Sequence, residues 1–140
     1  MRVLVVDDEL VSRKKMELIM RTFGECVAVD NGEAALKAFG DAIAKGEPFD
    51  LITLDVSMPD MDGTEVLYEI RKIEKKSKIP RGSWLKVIMV TAQSDKETVT
   101  LCIQVGCDSY ITKPFDRAII AKKLVELGMN VEKPARKSIR

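Results

Sequence analysis

Histidine is absent from the 140 residues of this chain. The three cysteines, Cys26, Cys102 and Cys107, form no C-x-x-C pair, so with no histidine to join them a zinc site is not expected. Their odd number argues against a disulfide framework; small buried thiols in a reducing cytoplasm are the expectation. Charge of one sign is lacking too. With 23 basic residues against 22 acidic ones, the chain as a whole has no large field to attract nucleic acid or an anionic membrane. Direct nucleic-acid binding and membrane insertion are not expected, and any such partner would need a local patch. Long hydrophobic runs are also missing. In MRVLVVDDEL the apolar run is cut by acids after four residues, too short for a signal-peptide core, and nothing approaches a transmembrane span. A cytoplasmic location is expected.

What is present suits one soluble globular domain: 46% hydrophobic and 32% charged residues, in a chain ample for one core and short for two. The runs VLVV (3–6), CVAV (26–29), LITL (51–54), VIMV (87–90) and the shorter SYIT (109–112) are mostly uninterrupted and rich in β-branched residues. Such runs predict strands buried on both faces, as in a parallel sheet covered by helices. Between them, apolar residues recur at helical spacing: Met16, Ile19, Met20 and Phe23; Leu36, Phe39 and Ile43; Val66, Ile70 and Ile73; Val99, Cys102 and Ile103; Ile120, Leu124 and Leu127. Gly24, Gly46, Gly106 and Gly128 sit where left-handed C-caps are expected, and Ser94 with Glu97 reads as a capping box opening the fourth helix. About five βα units follow, an α/β doubly wound sheet.

Two segments depart from this pattern. Residues 71–82, RKIEKKSKIPRG, carry six basic residues against Glu74 alone and read as a solvated helix end and loop, with a basic docking patch as the alternative. Past Gly128 come twelve residues, basic through Lys133, Arg136, Lys137 and Arg140, which read as a flexible tail over 129–140 rather than an output domain.

In an open parallel sheet, ligands bind beyond the carboxyl ends of the strands. Here the first strand ends in Asp7, Asp8 and Glu9, the third in Asp55, the fourth in Thr91 and the fifth in Lys113. Singly, each has an ordinary structural role as a cap, a turn residue or a solvated side chain. Together they converge on one edge. Two carboxylates about 4 Å apart repel by about 4 kcal/mol at an effective dielectric of about 20, so Asp7, Asp8 and Asp55 invite a cation. Oxygen ligands select a hard ion, and Mg²⁺ suits a site with few carboxylates and several waters. Lys113 adds a fixed positive charge for a phosphoryl group beside the metal, toward which a carboxylate can act as nucleophile.

Asp7-Asp8 after the first strand, LDVSMPDMDG around Asp55, VTA at 90–92 and KPF at 113–115 resemble the receiver domains of bacterial response regulators, of the CheY-like type. The resemblance covers about residues 2–127, with the domain placed at 1–128, and implies a flavodoxin-like (βα)5 fold with strand order 2-1-3-4-5. It implies that Asp55 is the phosphoacceptor and Asp8 a direct Mg²⁺ ligand, with Asp7 acting through water and Ser57 through its backbone carbonyl. Lys113, with Thr91 and Ala92, would contact the phosphoryl group; the Lys113–Pro114 bond would be cis. Thr91 and Tyr110 would form the switch. A histidine kinase or histidine phosphotransfer protein would be the donor. Output would pass to a protein target at the face formed by the fourth helix, fifth strand and fifth helix, without turnover of an external substrate.

Rival readings are weaker. Asp60, Asp62, Gly63 and Glu69 match part of a calcium-loop pattern, but its first position is Met58, which cannot ligate Ca²⁺. Asp62 with Glu65 reads instead as a helix cap. Phosphatases and mutases with an Asp nucleophile usually place a second catalytic Asp two residues on, where this chain has Ser57. No strand is followed by a glycine-rich phosphate loop. A receiver module of a larger regulator, or a receiver-like module that binds partners without phosphorylation, remain alternatives. A mass shift with a small phosphodonor, or Mg²⁺-dependent quenching of the sole tryptophan, Trp84, would separate phosphoacceptor from non-phosphorylated module.

Overall fold

The computed structural model describes residues 1–92, 96–129 and 131. Its elements run β1 (Arg2–Val6), α1 (Leu10–Arg21), β2 (Glu25–Val29), α2 (Gly32–Ala44), β3 (Leu51–Asp55), α3 (Gly63–Lys76), a short 3-10 turn (Arg81–Ser83), β4 (Lys86–Thr91), α4 (Lys96–Val105), β5 (Ser109–Thr112) and α5 (Arg117–Glu126). The strands form one parallel sheet in the order β2-β1-β3-β4-β5, the flavodoxin-like arrangement expected.

Alternation along the strands divides the core between the two sheet faces. Leu4, Val6, Ile52, Leu54, Val87 and Met89 pack with Phe39, Val66, Ile70 and Cys102 of α2, α3 and α4. Val3, Val5, Leu51, Ile88, Val90 and Ile111 pack with Met16, Met20, Ile120 and Leu124 of α1 and α5. Burial on both faces holds for β1, β3 and β4 but not for β2 and β5, where Val27 and Tyr110 are exposed. Those two strands are the sheet edges, and an apolar run cannot say which strand lies outermost.

Three helices, α2, α3 and α5, begin at polar side-chain caps, while α1 has none. Asn31 Oδ1 accepts from the Ala34 N–H, Asp62 and Glu65 form the expected capping box, and Asp116 Oδ1 accepts from the Ile119 N–H. The capping box at Ser94 lies outside the described residues. Gly46, Gly106 and Gly128 adopt the left-handed conformation expected of C-caps. Gly24 does not, and its reason is space: a Cβ there would sit 2.2 Å from the Met1 carbonyl oxygen. In α4, Cys102 is buried and Val105 packs against the core, while Ile103 faces outward at 60% exposure, against expectation. The helix is rotated so that a narrower stripe than Val99–Cys102–Ile103 meets the sheet.

The basic segment also differs from its solvated reading. Arg71 and Glu74 are buried, because they continue the inward stripe of Leu67 and Ile70 on α3. Met129 and Val131 pack against the α1/α5 cluster, and the tail's basic residues lie outside the described residues.

Candidate functional site

Strand order places the switch point between β1 and β3, and the acids flank it. Asp55 closes β3 opposite Val90 of β4, Thr91 closes β4 opposite Thr112, and Asp7 follows Val6. Asp7, Asp8 and Asp55 each bring a carboxylate oxygen within 4.8 Å of the others'. Asp7 and Asp55 are buried and Asp8 is exposed. Lys113 Nζ lies 3.2 Å from Asp7 Oδ2, 3.8 Å from Asp55 Oδ2 and 3.8 Å from Glu9 Oε1. The Lys113–Pro114 peptide is cis.

Backbone groups orient the acids. The Ser57 N–H donates to Asp55 Oδ1 at 3.3 Å and the Glu9 N–H to Asp7 Oδ1 at 2.9 Å. Gly63 lets the following turn fold back closely, since a Cβ there would stand 2.4 Å from the Asp55 carbonyl oxygen. Thr91 is buried, its carbonyl accepting from the Lys113 N–H, and Ala92 beside it is exposed. Tyr110, 37% exposed on β5 and alongside Met89, has the Lys123 ammonium over its ring at 5.8 Å. One neighbour, Arg13, was not singled out from sequence, and a second, Glu9, was placed there among the strand-end acids without a role. Glu9 shares Lys113, and Arg13 Nη1 donates to the Asp7 carbonyl at 3.0 Å. Arg13 is the fourth residue of α1, at the end of its first turn, and a basic residue there, behind the strand-end acids, is the signal that could have found it.

One lysine does not balance this many acids. Burial first, then the Asp7 charge and a hydrogen bond with Asp8, push the Asp55 carboxyl up to about 7, against the opposing pull of Lys113 and the Ser57 N–H. Burial draws the Lys113 ammonium down, but Asp55, Asp7 and Glu9 outweigh it and its pKa ends raised. An all-oxygen donor set with uncompensated negative charge fits a hard divalent cation. Trp84, by contrast, precedes β4 and lies at the opposite edge of the sheet, about 20 Å away across a six-residue strand. Its quenching by Mg²⁺ is therefore a poor readout, which corrects the expectation from sequence.

The fold and this carboxylate-lined switch point define a doubly wound α/β domain with a candidate cation site beyond its strand ends. The model of the response regulator receiver domain matches residues 3–125, and the chain belongs to that family, the receivers of two-component signalling. Chemotaxis protein CheY-3 of Vibrio cholerae is 32% identical over 126 residues, covering 89% of this chain and 88% of that one. Hybrid signal transduction histidine kinase L of Dictyostelium discoideum is 37% identical over 130 residues, 92% of this chain. This chain spans only 7% of that kinase and 15% of the sensor histidine kinase GacS of Pseudomonas protegens. Among solved structures, the receiver domain of the histidine kinase CKI1 from Arabidopsis thaliana, complexed with Mg²⁺ and BeF3⁻, matches with a TM-score of 0.76. It is 31% identical and is covered to 89%, against 91% of this chain. A CheX–CheY–BeF3⁻–Mg²⁺ complex from Borrelia burgdorferi gives a TM-score of 0.76 at 28% identity, covering 92% of this chain and 90% of that one. Among the described residues, no helix is long and apolar enough to cross a membrane.

Proposed function

We propose that this chain is a cytoplasmic response regulator that accepts a phosphoryl group on Asp55 from a histidine kinase or histidine phosphotransfer protein. The observation that carries the reading is the convergence of Asp7, Asp8, Asp55 and Lys113 at the switch point. An Asp55 carboxylate oxygen attacks phosphorus, the bond from phosphorus to the donor nitrogen breaks, and the electron pair leaves with the donor imidazole, which takes a proton. Lys113 holds a positive charge beside the phosphoryl oxygens. Asp8, Asp7, Asp55 and the Ser57 carbonyl would hold Mg²⁺. The ion supplies charge neutralisation for the transferring group. Turnover of an external substrate is not part of this function.

Intact mass after incubation with a small phosphodonor tests it: one phosphoryl group is expected with Mg²⁺ and none in excess chelator. No gain in either condition would leave a module that binds partners without phosphorylation. Asp8→Ala is expected to weaken Mg²⁺ binding more than Asp7→Ala, because Asp7 is already engaged by Lys113 and the Glu9 N–H while Asp8 is exposed. Equal losses by titration would remove the distinction.

Phosphorylation adds about −1.5 to −2 charges, and it shifts a two-state element only through a group that contacts it in one state. Thr91, at the end of β4, is that group, and Tyr110 is the side chain that follows it. Thr91→Ala is expected to accept phosphate yet lose the phosphorylation-dependent chemical-shift changes over 92–120; changes of full size would exclude Thr91 as transmitter. Leu101, Ile103, Tyr110 and Ile119 are exposed on α4, β5 and α5, which supports that face as the docking surface for a downstream protein. The kinase relatives, of which this chain matches a small share, support a second reading in which the same receiver is one module of a larger regulator.

A further inference from the structure

At the amino edge of the sheet, remote from the acids, a cavity of about 360 Å³ opens between the end of α3, the start of β4 and the end of α4. Lys75, Arg81, Lys86, Gln104, Trp84 and Asp108 line it, the Asp108 carboxylate being held by Arg71 and the Val87 N–H, and Arg71 is a buried part of its wall. We propose that this cavity binds a small anion carrying two or more linked phosphate groups.

The charge distribution is the first argument. Residues 71–86 hold seven basic residues against Glu74, a net +6 in a chain of net +1, which leaves −5 (+1 less +6) elsewhere. Arg71 is already matched by Glu74 and Asp108, but among the described residues Lys75, Arg81 and Lys86 have no carboxylate within salt-bridge distance. Three uncompensated cations around one concavity exceed what a single phosphate dianion neutralises, and they suit a di- or triphosphate.

Preorganisation is the second. The Trp84 indole N–H donates to the Ile79 carbonyl at 2.9 Å, which fixes the ring. The Arg71 and Arg81 guanidinium carbons lie 5.3 and 4.8 Å from its centroid, so the ring braces both cations. Gln104 adds an amide donor at the rim. The cavity falls within the size range of small-molecule sites. An extended polyanion such as duplex DNA would meet the net-negative remainder of the surface beyond the patch, which favours a compact ligand.

Trp84 is the sole tryptophan and therefore reports on this cavity. Titration of the chain with inorganic pyrophosphate and tripolyphosphate in chelator, at constant ionic strength of about 0.15 M, is expected to give a saturable change in its emission. The change should persist in Asp55→Asn, which separates it from the acidic site. Lys75→Glu and Lys86→Gln, each checked for native circular dichroism, should each weaken binding at least about tenfold while leaving phosphoryl uptake at Asp55 intact. Tighter binding of adenosine triphosphate than of tripolyphosphate would assign a nucleotide, and equal binding a free polyphosphate; either supports the site. A response reproduced by chloride, unchanged in both lysine variants, as strong with orthophosphate, or exceeded by a short oligonucleotide would overturn it.

Discussion

Arg71→Ala is expected to destabilise the fold by about 3–5 kcal/mol, the range for removing one partner from a buried ion pair. Arg71 Nη1 donates to Glu74 Oε1 at 2.7 Å and to the Leu85 carbonyl at 2.9 Å. Nη2 donates to the Gly106 carbonyl at 2.9 Å and to Asp108 Oδ2 at 3.1 Å, and Nε donates to the Gly106 carbonyl at 3.2 Å. The two carboxylates are in turn fixed by backbone. Glu74 Oε2 accepts from the Leu85 N–H at 2.7 Å and Asp108 Oδ2 from the Val87 N–H at 2.8 Å. One guanidinium thus ties the end of α3 to the start of β4 and to the loop that follows α4. Without it, Glu74, 1% exposed, is left as a buried carboxylate with no cation, and the Leu85 and Gly106 carbonyls lose a donor. Urea unfolding measures the loss as a lower midpoint at unchanged slope. Arg71→Met with Glu74→Leu should recover only part of it, since the pair of changes removes the unpaired charge but leaves the Leu85 N–H and the Leu85 and Gly106 carbonyls without these partners. A single-variant loss below about 1 kcal/mol would mean that solvent reaches Glu74 and that the clamp contributes little.

That clamp also marks the limit of what the sequence made legible. Asp7, Asp8, Asp55, Thr91 and Lys113 could be assembled because each follows an apolar run, and a parallel sheet brings the ends of such runs to one edge. No comparable rule joins Arg71 to Asp108, which lies 37 residues away in the loop after α4 and meets it through the packing of α3 against α4. Grouping residues 71–82 by charge hid the helical period that carries Arg71 and Glu74 inward after Leu67 and Ile70. The edge strands illustrate the same limit. CVAV reads as apolar as VLVV, yet β2 pairs only with β1 while β1 lies between two strands. Gly24 lacks room for a Cβ because of Met1, a contact across the β1–β2 region that no local C-cap pattern anticipates.

Asp55→Asn is expected to act in opposite directions on chemistry and on stability. The phosphoryl mass gain should vanish, because the amide removes the anionic oxygen that attacks phosphorus. The fold should gain. Asp55 is 4% exposed, and burial, then the Asp7 charge, raise its carboxyl from the ordinary 3.8 to about 7. Between those values the folded state retains a proton that the unfolded chain has released, so this group's contribution to stability falls as pH rises from about 4 to about 7. Asparagine has no such proton, and its contribution is flat across the window. The advantage of the variant over the parent in chelator should therefore be small near pH 4, grow with pH, and reach on the order of 2 kcal/mol by about pH 8. A divalent cation that binds the folded acids stabilises the parent by mass action, so millimolar Mg²⁺ should narrow the gap at the higher pH. Paired urea unfolding curves at both pH values, with chelator and with Mg²⁺, measure each step. A variant less stable than the parent at the higher pH in chelator would show that Lys113, 3.8 Å from Asp55 Oδ2, outweighs burial and the Asp7 charge.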